Sequence, residues 1–467
     1  MNEAIAEFEQ AVAAKPPAAF YDTLRKEYLM QDKHGNWIGL TETQFKRVLR
    51  QHGISARNDE KHGISPQDTV LLHLQNDQNV MWSGSLAGYS TGFYEMGGTR
   101  VLVTTSPRIL EPADGDWDML RGIIEGVLAD RGGEQVPYFL AWLKLGYEAL
   151  RAGKIMPGQA VVLVGPHECG KSLLQHLVTV VLGGRSAKPY QVMSGGTAFN
   201  ADLFGAEHLM VEDEQPSTDI RARRAFGAQI KSVTVNVDQR LHAKHRDALV
   251  LRPFWRLTVS LNDEPENVMV LPPMDDSLED KVFLFKACRH VMPMSTATAA
   301  ERAAFWEKIV SQVPAMLAEL VKMEIPAEMR SERFGVKVYH NPEILRILDD
   351  LAPETRLLDL LDAVLFTESM LGALGGVAVK AKELHDGTAA EIEKLLTGSG
   401  GFEHEARRLL AWSGACGTYL ARLAKQRPER VQQRRTADAR LWRILPPPAA
   451  TAERGMPPAA GGEGRAA

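Results

Sequence analysis

The sequence has few of the features that mark secreted, zinc-bound or membrane-spanning proteins. Its 467 residues include three cysteines, Cys169, Cys288 and Cys416, which are far apart and in no metal-ligand spacing. This argues against a disulfide framework or a zinc site and is typical of a reducing cytoplasm. No apolar run approaches the roughly 20 residues that cross a bilayer, and the first residues are acidic. We therefore expect neither export nor membrane insertion.

A strong charge of one sign is also lacking. The chain has 54 Lys and Arg against 59 Asp and Glu, which gives a formal net charge of -5. Any nucleic-acid surface must therefore be local rather than spread over the molecule. The length predicts two to four domains with buried cores, and no internal repeat is found.

The most informative feature is a loop that matches the phosphate-binding pattern G-x-x-x-x-G-K-[ST]. An apolar run, Ala160–Val164, precedes it, and apolar residues at helical spacing follow it, so the sequence predicts a buried parallel strand, the loop and then a helix. The loop residues are Gly165, Pro166, His167, Glu168, Cys169, Gly170, Lys171 and Ser172. Backbone N–H groups and the helix dipole would hold phosphates, Lys171 would neutralise them, and Ser172 would ligate Mg²⁺. The expected cofactors are ATP and Mg²⁺.

A second apolar strand, Leu209–Val211, ends in the carboxylates Glu212, Asp213 and Glu214. Carboxylates at such a strand end hold the Mg²⁺ shell and activate the attacking water. The usual order assigns Glu212 to Mg²⁺ and Asp213 to the water, but a shift by one residue to Asp213 and Glu214 stays open.

A third strand, Trp255–Leu261, ends in Asn262. An amide at this point can bond both the γ-phosphate and the hydrolytic water, so Asn262 is a candidate sensor. The alternative is that Asn262 only forms a turn before Asp263.

Between the second and third strands, the sequence predicts a hairpin with a basic tip. Residues 230–237 alternate like a strand, and 248–251 would form the second strand. The candidate DNA-binding residues are Lys231, Arg240, His242, Lys244, His245 and Arg246. This density of cations favours a phosphate backbone as partner, and the alternative is a solvated charged turn.

The four segments occur in the order of motifs A, B, B′ and C of superfamily 3 helicases, and the chain resembles the phage and plasmid helicases of the D5 or P4-primase type. The resemblance covers about residues 155–330. It implies an α/β fold with an AAA+ P-loop ATPase core, a hexameric ring, and hairpins that move single-stranded DNA through its channel. It also implies action on forked DNA beside a separate primase or polymerase, in the cytoplasm of a bacterial host.

Two positions depart from that family. Where such proteins present an arginine to the neighbouring subunit, this chain offers Lys281, so the trans-acting residue is either Lys281 or one of Arg289, Arg330 and Arg333. Upstream, only 114–116 resembles the metal-binding D-x-D of a fused primase. We interpret it as a turn or helix cap.

The expected organisation has six parts. They are an α+β domain at 1–110, a helical collar at 111–156, the ATPase core at 157–335, a helical region at 336–400, a basic winged-helix-like domain at 401–445, and a disordered tail at 446–467. In the first part, a strand at 36–40 and a capping box from Thr41 to Gln44 predict either a winged-helix-like element or a packing helix with solvated cations.

The segment 402–444 is basic, with ten Lys or Arg against four Asp or Glu. A helix near 417–423 is followed by two short strands and a turn at 436–438, which is how a winged helix ends. The resemblance implies duplex binding for this segment. The alternative is an oligomer-packing domain with a solvated basic rim.

The leading hypothesis is an ATP-dependent DNA helicase that replicates a phage, satellite or plasmid. A second hypothesis is an AAA+ ATPase of a signalling or defence system that binds nucleic acid or a partner without unwinding. A non-enzymatic initiator is disfavoured because none of the four motifs is broken.

Overall fold

The computed structural model describes residues 17–58, 63–212, 220–244, 248–272, 274, 277–366, 384–399, 401–435 and 439–447. The chain forms two compact units, which divide after Ile347. Within the described ranges, no helix combines the length and apolar character needed to cross a membrane.

The first unit begins with an α+β region. Its elements are β1 (Ala19–Asp22), β2 (Glu27–Gln31), β3 (Trp37–Leu40), α1 (Glu42–Gln51), α2 (Pro66–Asn76), β4 (Asn79–Val80), β5 (Trp82–Gly84), β6 (Gly92–Met96) and β7 (Thr99–Val103). One sheet has the order β3-β2-β1-β4, and a second has the order β5-β7-β6. The strand predicted at 36–40 is therefore present as β3.

Helix α1 has the capping box expected from Thr41 and Gln44. It buries Phe45 and Leu49, and the Phe45 ring stacks on Tyr28 with ring centroids 4.8 Å apart. Its buried side chains are those of a packing helix, and an antiparallel pair, β6 with β7, follows the two helices further along the chain. The winged-helix-like element therefore stays an open alternative.

The expected helical collar at 111–156 contains two helices, α3 (Asp118–Val127) and α4 (Gln135–Arg151). The break contains Gly133, whose φ of 65° suits glycine. Asp116 Oδ1 accepts a hydrogen bond of 2.9 Å from the N–H of Asp118. The D-x-D is therefore part of a helix start, as interpreted from the sequence.

The centre of the first unit is a five-stranded parallel sheet. Its strands are β8 (Ala160–Val164), β9 (Ser186–Ala187), β10 (His208–Val211), β13 (Arg256–Leu261) and β14 (Val282–Lys286), in the order β14-β8-β13-β10-β9. The flanking helices are α5 (Lys171–Val181), α6 (Tyr190–Met193), α7 (Ile220–Val235), α8 (Pro265–Val268) and α9 (Ala299–Lys322). Strands β8, β10 and β13 are buried along their whole length, as expected for parallel strands covered on both faces. Strand β8 is a continuous apolar run, whereas β10 begins with His208 and β13 contains Thr258 and Ser260. The predicted α/β P-loop NTPase fold class is confirmed.

One predicted strand is wrong. Residues 230–235 belong to helix α7, and the hairpin consists of β11 (Gln239–Leu241) and β12 (Leu249–Leu251). Ile230, Val233 and Thr234 are buried at spacings of three and four, which is the helical pattern, whereas Val235 and Val237 are exposed. Helix α7 packs against β13, and this contact selects the helical spacing over the alternation of a strand.

Helix α10 (Pro342–Asp350) leads into the second unit. That unit contains α11 (Pro353–Leu365), β15 (His385–Thr388), α12 (Ala389–Gly398), α13 (Glu403–Leu409), α14 (Ala415–Gln426), β16 (Val431–Arg435) and β17 (Arg440–Ile444). Its antiparallel sheet has the order β15-β17-β16. The winged-helix-like end predicted from the sequence is present, while the turn at 436–438 and residues 448–467 of the expected tail lie outside the described ranges.

The expected boundary between residues 400 and 401 falls inside this unit. Strand β15 pairs with β17, and Trp442 of β17 lies in one core with Leu357 of α11 and Leu420 of α14. A separate helical region at 336–400 is therefore not what the structure shows.

Candidate nucleotide site and basic hairpin

The phosphate-binding loop connects β8 to α5 at the carboxyl edge of the parallel sheet. A Cβ atom on Gly165 would lie 2.2 Å from the carbonyl oxygen of Ala287, so only glycine fits. Gly170, the residue before α5, has a φ of 100°, which also favours glycine. The two fixed glycines of the motif are thus required by the geometry of the loop.

Lys171 lies at the centre of this loop. It is 5% exposed, and its Nζ donates hydrogen bonds to the carbonyl oxygens of Gly165 and Pro166, both at 2.8 Å, and to Asn262 Oδ1 at 3.0 Å. Asn262 follows β13, which lies next to β8 in the sheet. The structure therefore brings two of the candidate catalytic residues into direct contact.

Glu212 follows β10, the strand on the other side of β13. Its carboxylate lies 3.3 Å from Lys188 Nζ, on the segment that follows the edge strand β9. Asp213 and Glu214 lie outside the described residues, so which carboxylate holds Mg²⁺ and which activates water stays a prediction. Lys188 was not found from the sequence, because only the pairing of β9 with β10 places it here.

These residues fit a bound nucleotide with Mg²⁺. Among the described residues, no side chain caps the first turn of α5, so its N–H groups point toward the loop without such a partner. Lys171 supplies a cation for phosphate, while the Ser172 hydroxyl and the Glu212 carboxylate are the oxygen ligands that Mg²⁺ prefers.

The hairpin is held to the rest of the first unit by Asn200. The Asn200 amide donates to the carbonyl oxygen of Arg240 at 2.9 Å, and its Oδ1 accepts from the N–H of His242 at 2.7 Å. The N–H of Asn200 donates in turn to the carbonyl oxygen of His242 at 3.1 Å. These three bonds fix the start of the basic tip and place the neighbouring Phe199, which is 51% exposed, beside it.

The predicted DNA-binding residues are only partly brought together. Arg240 and Lys244 are exposed on the hairpin and His242 is half-buried, but Lys231 lies on helix α7 and not on a hairpin strand. His245 and Arg246 lie outside the described residues. Phe199 was missed because its place beside the hairpin depends on the contacts of Asn200, not on local sequence.

Lys281 is poorly placed to act on a neighbouring subunit. It is 8% exposed, and its ammonium group pairs with the adjacent carboxylate of Asp280. It also precedes β14, at the amino edge of the sheet, whereas the phosphate loop lies at the carboxyl edge. Arg289, Arg330 and Arg333 are exposed, and Arg333 pairs with Asp280 at 2.9 Å.

In the second unit, several basic residues of 402–444 pair with carboxylates that lie outside that segment. Arg422 pairs with Glu354 at 3.4 Å, Arg443 pairs with Asp386 at 2.7 Å, and Arg430 pairs with Asp362. The excess of positive charge counted from the sequence is therefore partly offset. The exposed cations that remain are Arg408, Lys425, Arg434, Arg435 and Arg440.

No family model matches the sequence, and no curated protein matches it. In structure, the chain is similar to the NrS-1 C-terminal region, residues 305–718, with a TM-score of 0.51 and 10% identity over 94% of this chain and 98% of that one. This similarity shows a shared fold. Weaker alignments are found to Cch of SCCmec type IV, described as an active helicase, and to an inhibitor-bound JCV helicase. The Cch alignment has a TM-score of 0.31 and 11% identity, and it covers 89% of this chain and 74% of that one. The JCV helicase alignment has a TM-score of 0.22 and 15% identity, and it covers 52% of this chain and 67% of that one.

Proposed function

We propose that this protein is an ATP-dependent DNA helicase of the superfamily 3 type, and that it serves the replication of a phage, satellite or plasmid in a bacterial cytoplasm. The observation that carries the proposal is the place of the basic hairpin in the chain. It is inserted between β10 and β13, the two strands whose carboxyl ends carry Glu212 and Asn262.

The nucleotide site has the groups that ATP hydrolysis needs. Bound ATP with Mg²⁺ would supply the γ-phosphoryl group that water attacks. Lys171 would neutralise the phosphates, and Ser172 and Glu212 would hold the Mg²⁺ shell while Asp213 takes the proton of the water. With the shift by one residue, Asp213 would hold Mg²⁺ and Glu214 would take the proton. Because Lys171 Nζ also bonds Asn262, movement of the lysine toward phosphate would free the Asn262 amide to orient that water.

A path of rigid elements joins this site to the hairpin. Strand β13 runs from Leu261, next to Asn262, back to Arg256, a span of about 17 Å for five residue steps of 3.3 Å. The hairpin precedes it, and helix α7, which leads into the hairpin, packs against β13. Such packed elements can carry a change at the nucleotide to the DNA-binding tip.

The surface at the tip suits single-stranded DNA. Arg240 and Lys244 are exposed cations for the phosphate backbone, and the exposed ring of Phe199 offers a face for base stacking. Cations together with an aromatic side chain are the combination that binds single strands without sequence preference.

We further propose that the protein acts as a homo-oligomeric ring, on the pattern of hexamers, with a cation of one subunit completing the site of the next. Arg289, Arg330 and Arg333 are the candidates, since Lys281 is buried and paired. The second unit would bind duplex DNA through its exposed arginines, and a separate primase or polymerase would supply synthesis.

A strand-displacement assay on forked DNA with Lys171→Ala tests the proposal. We expect the loss of both ATP hydrolysis and unwinding, while Lys154→Ala, an exposed lysine outside the site, stays at the wild-type level. If Lys171→Ala still unwinds DNA, the phosphate loop is not needed for unwinding. DNA-stimulated hydrolysis by the wild type without strand separation would instead favour a signalling or defence ATPase.

A further inference from the structure

Helix α5 carries a row of polar residues on the face that packs against β10 and β13. Lys171, Gln175 and Thr179 are spaced by four and therefore share one side of the helix. We call the contacts of this row with His208, Thr258 and Asn262 the polar seam. From the loop downward, Lys171 bonds Asn262, Gln175 bonds Thr258, and Thr179 bonds His208.

Gln175 lies at the middle of the polar seam and is fully buried. Its Nε2 donates to Thr258 Oγ1 at 2.8 Å and to the carbonyl oxygen of Val211 at 3.1 Å. Val211 is the last residue of β10, directly before Glu212. One side chain therefore joins the helix that begins with Lys171 to both strands that end in catalytic groups.

The orientation of the Gln175 amide is fixed by the rest of the seam. Burial lowers the pKa of His208 to about 3, so its ring is neutral at neutral pH and has one donor and one acceptor. One assignment satisfies each donor: Gln175 donates to Thr258, Thr258 donates to His208 Nε2, and His208 Nδ1 donates to Thr179, with heavy-atom distances of 2.8, 2.8 and 2.7 Å. The Thr179 hydroxyl then donates to the main-chain carbonyl oxygen of Gln175 at 3.2 Å.

Stability alone does not account for a glutamine here. Gln175 Oε1 and Ser260 Oγ, which lies on the same side of β13 as Thr258, are buried without a hydrogen-bond partner among the described residues. A buried polar atom without a partner costs stability, and an apolar side chain of similar length would avoid that cost. A buried polar group of this kind next to a site calls for an explanation in the chemistry of the site.

We propose that Gln175 is a positioning residue for ATP hydrolysis, which sets the distance between the loop helix with Ser172 and the strand end with Glu212. This inference rests on the proposed ATPase function. Phosphate would be bound by the loop N–H groups and Lys171, whereas the Gln175 side chain donates its hydrogen bonds to Thr258 and Val211. A change at Gln175 would therefore act on the placement of Glu212 relative to Mg²⁺. The chemical step is then affected and ATP binding is spared.

The test compares Gln175→Met with Thr179→Val in the full chain. Both remove a hydrogen bond of the seam, but the Thr179 hydroxyl is only partly buried and lies two helical turns from the loop. For Gln175→Met, we expect kcat to fall by about 10- to 100-fold, the Mg²⁺ concentration for half-maximal rate to rise, and the Kd for a fluorescent ATP analogue to change by less than about threefold. For Thr179→Val, we expect kcat within about twofold of the wild type at a similar loss of melting temperature.

Equal kcat values for the two variants would overturn the positioning role, and so would a loss of ATP binding that matches the loss of kcat. If Gln175→Met does not fold, Gln175→Leu replaces it; if neither folds, the seam is a stability element and the inference fails. The ATPase proposal is judged separately by Lys171→Ala. Hydrolysis that depends on Lys171 but not on Gln175 overturns this inference alone, whereas a wild type without hydrolysis overturns both.

Discussion

Lys171 Nζ and Asn262 Oδ1 lie 3.0 Å apart, so the lysine of the phosphate loop and the amide at the end of β13 form one buried hydrogen-bonded pair. The two residues are 91 positions apart in sequence. Their contact follows from the neighbouring places of β8 and β13 in the sheet. Lys171 cannot move toward a phosphate without changing the environment of Asn262.

This pair predicts that Asn262→Ala separates binding from hydrolysis. Lys171 keeps its two loop carbonyl partners, so we expect the Kd for ATP to stay within a few-fold while the single-turnover rate falls by about 10²-fold. Asn236→Ala, an exposed asparagine that follows α7, serves as the control. A parallel loss of affinity and rate would show that Asn262 acts through the structure of the loop.

The ion pair between Lys188 and Glu212 predicts a change in metal dependence. Lys188 Nζ competes with Mg²⁺ for the Glu212 carboxylate, so Lys188→Ala should lower the Mg²⁺ concentration for half-maximal ATPase by a few-fold. The effect should shrink at high salt, since the Lys188 side chain is 68% exposed. An unchanged Mg²⁺ dependence would mean that Glu212 does not contact the metal.

The hairpin cations predict a change in the salt dependence of DNA binding. Replacing Arg240 and Lys244 by Ala removes two phosphate contacts, which should reduce the slope of log K against log salt by about 1.4 for single strands. Arg252→Ala is the matched control, because Arg252 is exposed on the same segment but pairs with Asp238 at 2.7 Å. Equal slopes for the double variant and for Arg252→Ala would mean that the hairpin tip does not bind the DNA phosphates.

Phe199→Ala should weaken binding by a different route. Loss of base stacking should cost about 1–3 kcal/mol of affinity for single-stranded DNA without changing the salt slope. Fluorescence anisotropy over a salt series distinguishes this from the arginine and lysine variants. Affinity equal to that of the wild type would leave Phe199 without a role at the tip.

The buried His208 predicts an acid-sensitive fold. Burial lowers its pKa from 6.5 to about 3, so between these values the unfolded chain binds a proton that the folded chain does not. The contribution of His208 to stability is complete above pH 6.5 and should fall by about 1.4 kcal/mol per pH unit below it. Urea denaturation of the wild type and His208→Gln at pH 7 and pH 5 measures the difference, with His34→Gln, an exposed histidine, as control.

The parts of the site that follow from local sequence were predictable, and those that follow from strand order were not. The loop, β10, β13 and Asn262 each lie in a short segment with a clear pattern. The contacts of Lys188 with Glu212 and of Gln175 with Val211 depend on which strands are neighbours, and no local pattern carries that information. Gln175 did leave a signal, since it lies four positions after Lys171 and four before Thr179, a spacing that places three polar residues on one helix face.

The error at residues 230–237 has a related cause. Val233, Val235 and Val237 alternate with polar residues, and in so short a window that alternation outweighs the helical spacing of Ile230 and Val233. Burial against β13 and α6 selects the helix. The boundary expected at 400 failed because β15 is short and is separated from its partner strand by more than fifty residues, which include helices α12 to α14 and strand β16.

The place of β15 beside β17 also governs how the C-terminal unit can be produced alone. A fragment that begins at residue 401 would omit β15 and leave the middle strand of the sheet with an open edge, as well as a partly uncovered Trp442. Open edges of this kind pair with other chains, and such a fragment should aggregate on expression. A fragment that begins at Leu348 keeps the edge covered and is the one suited to crystallisation or NMR.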